Sequence, residues 1–322
     1  MTRVIHTAQA LVDVVVEVDA LPRRGGNAVA RSYERYAGGA VNILVAAARS
    51  GADAVHAGAV GEGPNGDLVR SALAAEGVVV SSPVVDGLDT GICVVMVEPS
   101  AERTFVTTQG AERRISAASL ATSRPVAGDL VCVSGFSLVG RTRDPLLEWL
   151  DDLADGVLVV LDPGAAFGEL APSLQQHVLE RTAVWTSNAE EAEQLTGCAD
   201  PVDSVAAVAE RLADGALAGG ALAGGAVAGG AVAVVRDGAR GCHLRLDGRT
   251  EALPGYPQEA VDTNGAGDTH TGVLVAEVSR GTDWVTAARR ANAAGAIKVT
   301  RRGPATAPTA AEIDAFLAAQ DH

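Results

Sequence analysis

The sequence predicts an α/β fold: a mostly parallel central sheet covered by helices on both faces, with a small β lid over one end. Three observations carry this. Apolar runs of strand length recur at residues 11–18, 54–60, 92–97, 130–133, 157–161 and 231–235. Helical stretches lie between many of them, at 42–50, 67–76, 145–153 and 204–213. Strands buried on both faces and alternating with helices build parallel sheets. Two regions break the rhythm. Residues 13–37 hold a strand run, Pro22, Gly25-Gly26 and a second run of mixed polarity, and residues 90–110 read as a hairpin around Pro99-Ser100-Ala101-Glu102. Two-sided strands outside the main sheet suggest the lid.

Taken in chain order, Gly38-Gly39-Ala40-Val41-Asn42 forms a loop that opens the first helix with an Asn N-cap. Residues 215–230 repeat Gly-Ala-Leu-Ala-Gly in tandem, too glycine-rich for a stable helix and too short for a solenoid. They read as an insertion in a surface loop, where added length costs little. Thr309-x-x-Glu312 is a capping box that opens a last helix.

The chain has 322 residues, of which 48% are hydrophobic and 20% charged, as expected for a sizeable core. Aromatics are 3%, so Val, Leu and Ala must fill that core. The formal charge of −15 argues against nucleic acid or an anionic membrane as partner. Lys298 is the sole lysine, and no G-x-x-x-x-G-K-[ST] phosphate loop can be written around it. Cys93, Cys132, Cys198 and Cys242 form no C-x-x-C pair and read as reduced thiols of a cytoplasmic protein. No apolar run is long enough to span a bilayer, and no signal peptide opens the chain.

The most informative segment is Val261-Asp262-Thr263-Asn264-Gly265-Ala266-Gly267-Asp268-Thr269, where a loop turns into an apolar helix. N–H groups at a helix start lack intrahelical acceptors and suit an anion such as a terminal phosphate. Gly265 and Gly267 allow close backbone approach. Asp268 would then lie where a base can take a proton from an acceptor hydroxyl. A glycine-rich loop with a capping aspartate is the plain alternative, but the length of the motif favours phosphoryl transfer.

This segment resembles the C-terminal signature of the ribokinase-like sugar kinases, the PfkB carbohydrate kinases. The resemblance implies a ribokinase-like three-layer sandwich spanning residues 1–322 as one kinase domain, with lid segments at about 13–37 and 90–110. It implies that Asp268 is the catalytic base and that Gly265, Ala266 and Gly267 form the anion hole. It also implies ATP and Mg²⁺ as cofactors, a homodimer formed through the lid, and in-line phosphorylation of a sugar or sugar-like alcohol.

The other motifs fit the same order. Gly38, Gly39 and Asn42 match the family's sugar-binding signature, although the gap between glycines and asparagine is one residue shorter than in ribokinases proper. Asp13, read as a strand-end acid, corresponds to the family's sugar-binding aspartate, and Arg103 of the hairpin is a further substrate candidate. Asn188-Ala189-Glu190-Glu191 resembles the N-x-x-E motif in which Asn188 and Glu191 organise Mg²⁺; it is also an ordinary capping arrangement. Arg236, Gly238 and Gly241 form a turn at a strand's carboxyl end that the resemblance places at the nucleotide, and Asn292 matches a helix flanking the adenine. Asp262 with Arg301-Arg302-Gly303 matches a monovalent-cation site, which would take K⁺. Nucleoside kinases and sugar-phosphate kinases of the same fold are alternatives: the first calls for lid aromatics (Tyr33, Tyr36 and Phe105 are available), the second for lid arginines (Arg23, Arg24, Arg31, Arg35 and Arg103). One motif points elsewhere. Gly61-Glu62-Gly63-Pro64-Asn65-Gly66 is a literal G-x-G-x-x-G, the mark of an NAD-binding oxidoreductase.

Overall fold

The computed structural model describes residues 2–100, 102–212, 221–222, 225–226 and 231–320. Most of the glycine-rich repeat, and its expected character as an insertion loop, lies outside the described residues.

A nine-stranded sheet forms the centre. Its order is Arg249–Pro254, Gly241–Leu246, Val232–Arg236, Thr182–Asn188, Leu158–Asp162, Leu130–Ser134, Arg3–His6, Asp53–His56 and Val79–Val80. Pairing is parallel except at the first two neighbours, which are antiparallel. Alternate residues of each central strand serve opposite cores, because side chains alternate across a strand. Val4, Leu130, Cys132, Leu158 and Val160 pack with the helices Ala266–Ser279 and Trp284–Val299. Ile5, Val131, Val133, Val159 and Leu161 pack with Arg143–Asp151, Pro172–Arg181 and Pro201–Arg211. Both faces are covered, which makes the body a three-layer α/β sandwich.

A four-stranded sheet stands outside this body, ordered Ala30–Gly39, Ala10–Val18, Ile92–Val97 and Arg103–Thr107. Its strands fall on the two segments that break the sequence rhythm. The run 11–18 thus belongs to this small sheet and not to the main one, and Asp13 sits within its strand, paired with Tyr36 and Cys93, instead of ending a core strand. The true first strand of the main sheet is Arg3–His6, whose four residues are too short and polar to register as an apolar run. Only residues 7–9 separate the two strands, so the small sheet hangs from the carboxyl end of the parallel sheet.

The helix Ala266–Ser279 is buried from Thr269 to Ser279. It crosses Ala40–Arg49 at Gly272, where a Cβ would overlap the Ile43 carbonyl. That close approach brings the two helix starts together. Among the described residues no helix is long and apolar enough to cross a membrane.

Candidate active site

The loop before Ala266–Ser279 is held by its own aspartate. Asp262 Oδ1 accepts the Asn264 N–H at 2.9 Å and Oδ2 accepts the Gly303 N–H at 2.9 Å. Gly265 takes φ 77° as the N-cap, and a Cβ there would press on the Pro304 carbonyl, so glycine is required twice over. The Ala266 N–H is engaged with Thr263 O at 3.2 Å. Among the described residues the N–H groups of Gly265, Gly267 and Asp268 have no acceptor. The donors open to an anion are therefore these three, and Ala266, expected among them, is committed to its own turn.

Asp268 lies in the first turn of the helix. Its Oδ2 accepts the Asn42 Nδ2–H at 2.8 Å. Asn42 is buried at the start of Ala40–Arg49, and its Oδ1 has no partner among the described residues, leaving an acceptor for a ligand hydroxyl. Asp13 is also buried and lies against Gly38, where a Cβ would overlap its carboxylate. Gly39 takes φ 64° and caps the same helix. Asp13, Gly38, Gly39, Asn42 and Asp268 thus converge between the small sheet and the helix starts.

Two carboxyl groups in so little water titrate late. Burial, then the nearby Asp268 charge, pushes Asp13 up to about 7. Burial pushes Asp268 up to about 6, against the Asn42 hydrogen bond that pulls it down. A carboxylate poised near 6 is suited to general-base work.

A second cluster faces Gly267 from the carboxyl ends of the parallel strands. Arg236 lies against Gly267 and donates from Nη1 to Thr186 Oγ1 at 2.7 Å and Thr271 Oγ1 at 3.0 Å. The same guanidinium stands 3.6 Å from Asp162 and 3.9 Å from Glu191. Asn188 and Glu191 form a reciprocal capping box, at 2.7 and 2.9 Å, which fixes the carboxylate at the start of Ala189–Thr196. Burial, then Asp162, raises the Glu191 pKa, while Arg236 opposes it. No sequence motif marks Asp162, Thr186 or Thr271. Asp162 carried a usable signal, since it ends the apolar run 157–161 just before Pro163-Gly164, where open α/β sheets place ligand groups. Among the described residues no three His, Cys, Asp or Glu side chains cluster as a metal cage.

Gly238 and Gly241 have φ 56° and 107° in the turn between Val232–Arg236 and Gly241–Leu246, and a Cβ on Gly241 would overlap the Leu253 carbonyl. The turn itself accounts for both. Asn292 is buried and fully engaged: Nδ2 donates to Leu253 O and Pro254 O, and Oδ1 meets His270 Nε2. It braces the edge strand and offers no free polar atom. Arg103 reaches the anion loop, donating to Asp262 Oδ1 at 2.8 Å and Thr263 Oγ1 at 3.1 Å. The dinucleotide reading of residues 61–66 fails on geometry. The Asn65 and Gly66 N–H groups donate to the Asp89 carboxylate at 3.1 and 2.9 Å, Glu62 N–H is taken by Val85 O and Leu88 O, and Pro64 has no N–H, so no pyrophosphate cradle is left.

Residues 1–311 match the family model described as pfkB family carbohydrate kinase. An uncharacterized sugar kinase of Escherichia coli (strain K12), YegV, is 30% identical over 311 residues, covering 96% of this chain and 92% of its own. The ribokinase of Haemophilus influenzae is 28% identical over 312 residues, covering 95% of each chain. Among solved structures, Arabidopsis thaliana ribokinase complexed with ribose and ATP superposes with a TM-score of 0.78 at 22% identity, covering 98% of this chain and 99% of that one. An E. coli chain assigned as a ribokinase II, in complex with ATP and Mg²⁺, gives a TM-score of 0.81 at 23% identity over 100% of both chains.

Proposed function

As the chain belongs to the pfkB family of carbohydrate kinases, we propose that it phosphorylates a hydroxyl of an unphosphorylated sugar or sugar-like alcohol, using ATP, with Asp268 as the base. One observation carries this reading: the Asp268 carboxylate, bonded to Asn42, stands in the same helix turn as three N–H groups without acceptors. A proton acceptor and an anion cradle are then within one turn of each other, as in-line phosphoryl transfer requires.

Asp13, the Gly38 and Gly39 backbone and Asn42 hold the acceptor sugar. Asp268 takes the proton from its hydroxyl. The Gly265, Gly267 and Asp268 N–H groups receive the charge spread over the transferring phosphoryl oxygens, and Arg236 adds a cation beside them. ATP supplies the phosphoryl group and Mg²⁺ neutralises charge on its phosphates. The Asp162 and Glu191 carboxyl groups face one guanidinium, and their oxygens would hold a divalent cation through water. Asn188 orients Glu191 for this. The small sheet closes over the sugar and excludes water. Its exposed Tyr33, Phe105 and Val106 suit a homodimer contact through that sheet.

Sugar phosphates and nucleosides are the two rival substrate classes. For a sugar phosphate, Arg35 is bonded to Asn65, Arg103 to Asp262 and Arg31 to Asp19, whereas Arg23 and Arg24 are exposed and have no side-chain partner among the described residues. For a nucleoside, Tyr33 lies on the far face of the small sheet, while Tyr36 and Phe105 share the Asp13 face, Tyr36 as its direct partner.

The test is ADP production with Mg·ATP over a panel of free sugars, sugar phosphates and nucleosides. Asp268→Asn should lower kcat by about 10²–10⁴, the worth of a general base, while the affinity for ATP stays within a few fold. Near-normal turnover in that variant removes Asp268 from the mechanism. Turnover with sugar phosphates alone removes the free-sugar reading.

A further inference from the structure

The only lysine of the chain is one of its most deeply buried large side chains. Lys298 has no exposed surface, near the end of the Trp284–Val299 helix. Its Nζ donates to the backbone carbonyls of Asp262 at 3.0 Å and Arg301 at 3.2 Å. These carbonyls belong to the two segments that frame the anion loop. Asp262 begins the loop, and the segment after Arg301 carries Pro304, whose carbonyl backs Gly265. The Gly303 N–H ties the same two segments through Asp262 Oδ2.

Burying an ammonium is costly unless acceptors and opposite charge surround it. Asp262 and Asp268 supply negative charge here, and Arg103 opposes them. A leucine or methionine would avoid that penalty but would leave both carbonyls without their donor, so the ammonium itself has a use. The chain meets its other needs for positive charge with arginine, and only here uses the compact ammonium that can act as a point cation among carbonyl oxygens. The resemblance to the sugar kinases implies a K⁺ at Asp262 and residues 301–303. These residues do not fit a dissolved cation: the Asp262 and Arg301 carbonyls are taken by Nζ, and both Asp262 carboxylate oxygens accept hydrogen bonds from Arg103, Asn264 and Gly303.

We propose that the Lys298 ammonium is a built-in monovalent cation that joins the 262–265 and 301–304 segments, sets the anion loop and makes this kinase independent of K⁺. Lys298 is a positioning residue. It acts through the loop carbonyls and touches no reacting atom. The inference rests on the kinase reading above for its effect on turnover, but its structural part can be measured without nucleotide.

The experiment compares wild type and Lys298→Met in potassium chloride and in choline chloride at equal ionic strength. Three quantities are read: the melting temperature of the free protein, the Kd of AMP-PNP with Mg²⁺, and kcat/KM against pH. Wild type should give the same three values in both salts. Lys298→Met in choline should melt lower, bind AMP-PNP about tenfold more weakly, and show its acid limb at higher pH, since a nearby cation favours the ionised base. Potassium or ammonium chloride should restore the variant in part, as the vacated carbonyls take up the cation. A wild type whose melting point, nucleotide affinity or turnover rises several-fold with K⁺ overturns the proposal. So does a Lys298→Met protein that matches wild type in choline. If the variant does not fold, the wild-type salt comparison still decides. If wild type binds no AMP-PNP in either salt, the kinase reading fails, while the melting temperatures continue to test the cation.

Discussion

The Asn42–Asp268 hydrogen bond is the residue contact from which a pH profile follows. A base works when deprotonated, so kcat/KM should rise with pH and level off once Asp268 has ionised. Its pKa is about 6 and that of the adjoining Asp13 about 7, and the pair titrates together, so the acid limb should fall between them. The Asn42 amide donates to the ionised carboxylate and so holds the pKa down. Asn42→Leu removes that donor, and the limb should move to higher pH. A pH–rate series on the two proteins checks this, and a limb that stays in place would separate Asn42 from the titrating base. At the same scale the sequence was legible in type but not in partner. Asp268, Asn42 and Gly265 stand out by their motifs. That Ala266 spends its N–H on Thr263, that Asn292 is used as a brace, and that Arg103 bonds Asp262 are facts of three-dimensional neighbourhood. No spacing along the chain encodes them.

Among elements, the crossing of Ala40–Arg49 with Ala266–Ser279 decides whether the site exists. One helix carries Asn42 and the other Asp268, and Gly272 lets them close on each other at Ile43. Gly272→Ala inserts a methyl group against a backbone carbonyl that cannot rotate away. Overpacking of this kind costs about 1–3 kcal/mol, more than the helix-propensity gain of about 1 kcal/mol from replacing glycine. The melting temperature should drop by a few degrees, and kcat should fall as Asn42 and Asp268 are forced apart. Calorimetry with steady-state kinetics measures both. A variant with raised stability and full activity would show that the helices tolerate separation. The strands were legible unevenly for a physical reason. Runs such as 130–133 and 157–161 serve apolar cores on both faces and announce themselves. Arg3–His6, Gly241–Leu246 and Arg249–Pro254 are short, polar or at the edge, and pairing alone defines them.

At the scale of the whole molecule, His6, His56 and His270 are buried and held neutral. Burial lowers His6 to about 3, His56 to about 4 and His270 to about 3. In the unfolded chain each takes a proton near pH 6.5. Below that pH the unfolded state binds protons that the folded state refuses. The histidine contribution should therefore be complete above about pH 6.5 and be lost as pH falls toward 4, while Asp13 and Asp268, whose folded values of about 7 and 6 lie above the unfolded ones, oppose part of that decline. Urea midpoints across this range test the slope. His56 has no partner on either ring nitrogen among the described residues, so His56→Leu should flatten part of the decline without lowering the midpoint at neutral pH by much. An unchanged slope would show that carboxylates, not histidines, govern acid unfolding.

Local order and chemistry were determined by sequence: apolar runs that must be buried on both faces, a glycine-aspartate turn at a helix start, caps at Asn188 and Thr309, and the motif order of the family. Each depends on residues within one turn or one strand, so the chain states it directly. Tertiary structure decided the rest. It moved the 11–18 strand out of the main sheet and assembled Asp162, Thr186, Arg236 and Thr271 from four elements around one guanidinium. It also placed the Lys298 ammonium between two loop carbonyls. Those outcomes depend on which buried groups find each other across the core. The cost of leaving a buried charge or N–H unpaired settles that choice only once the whole chain has folded.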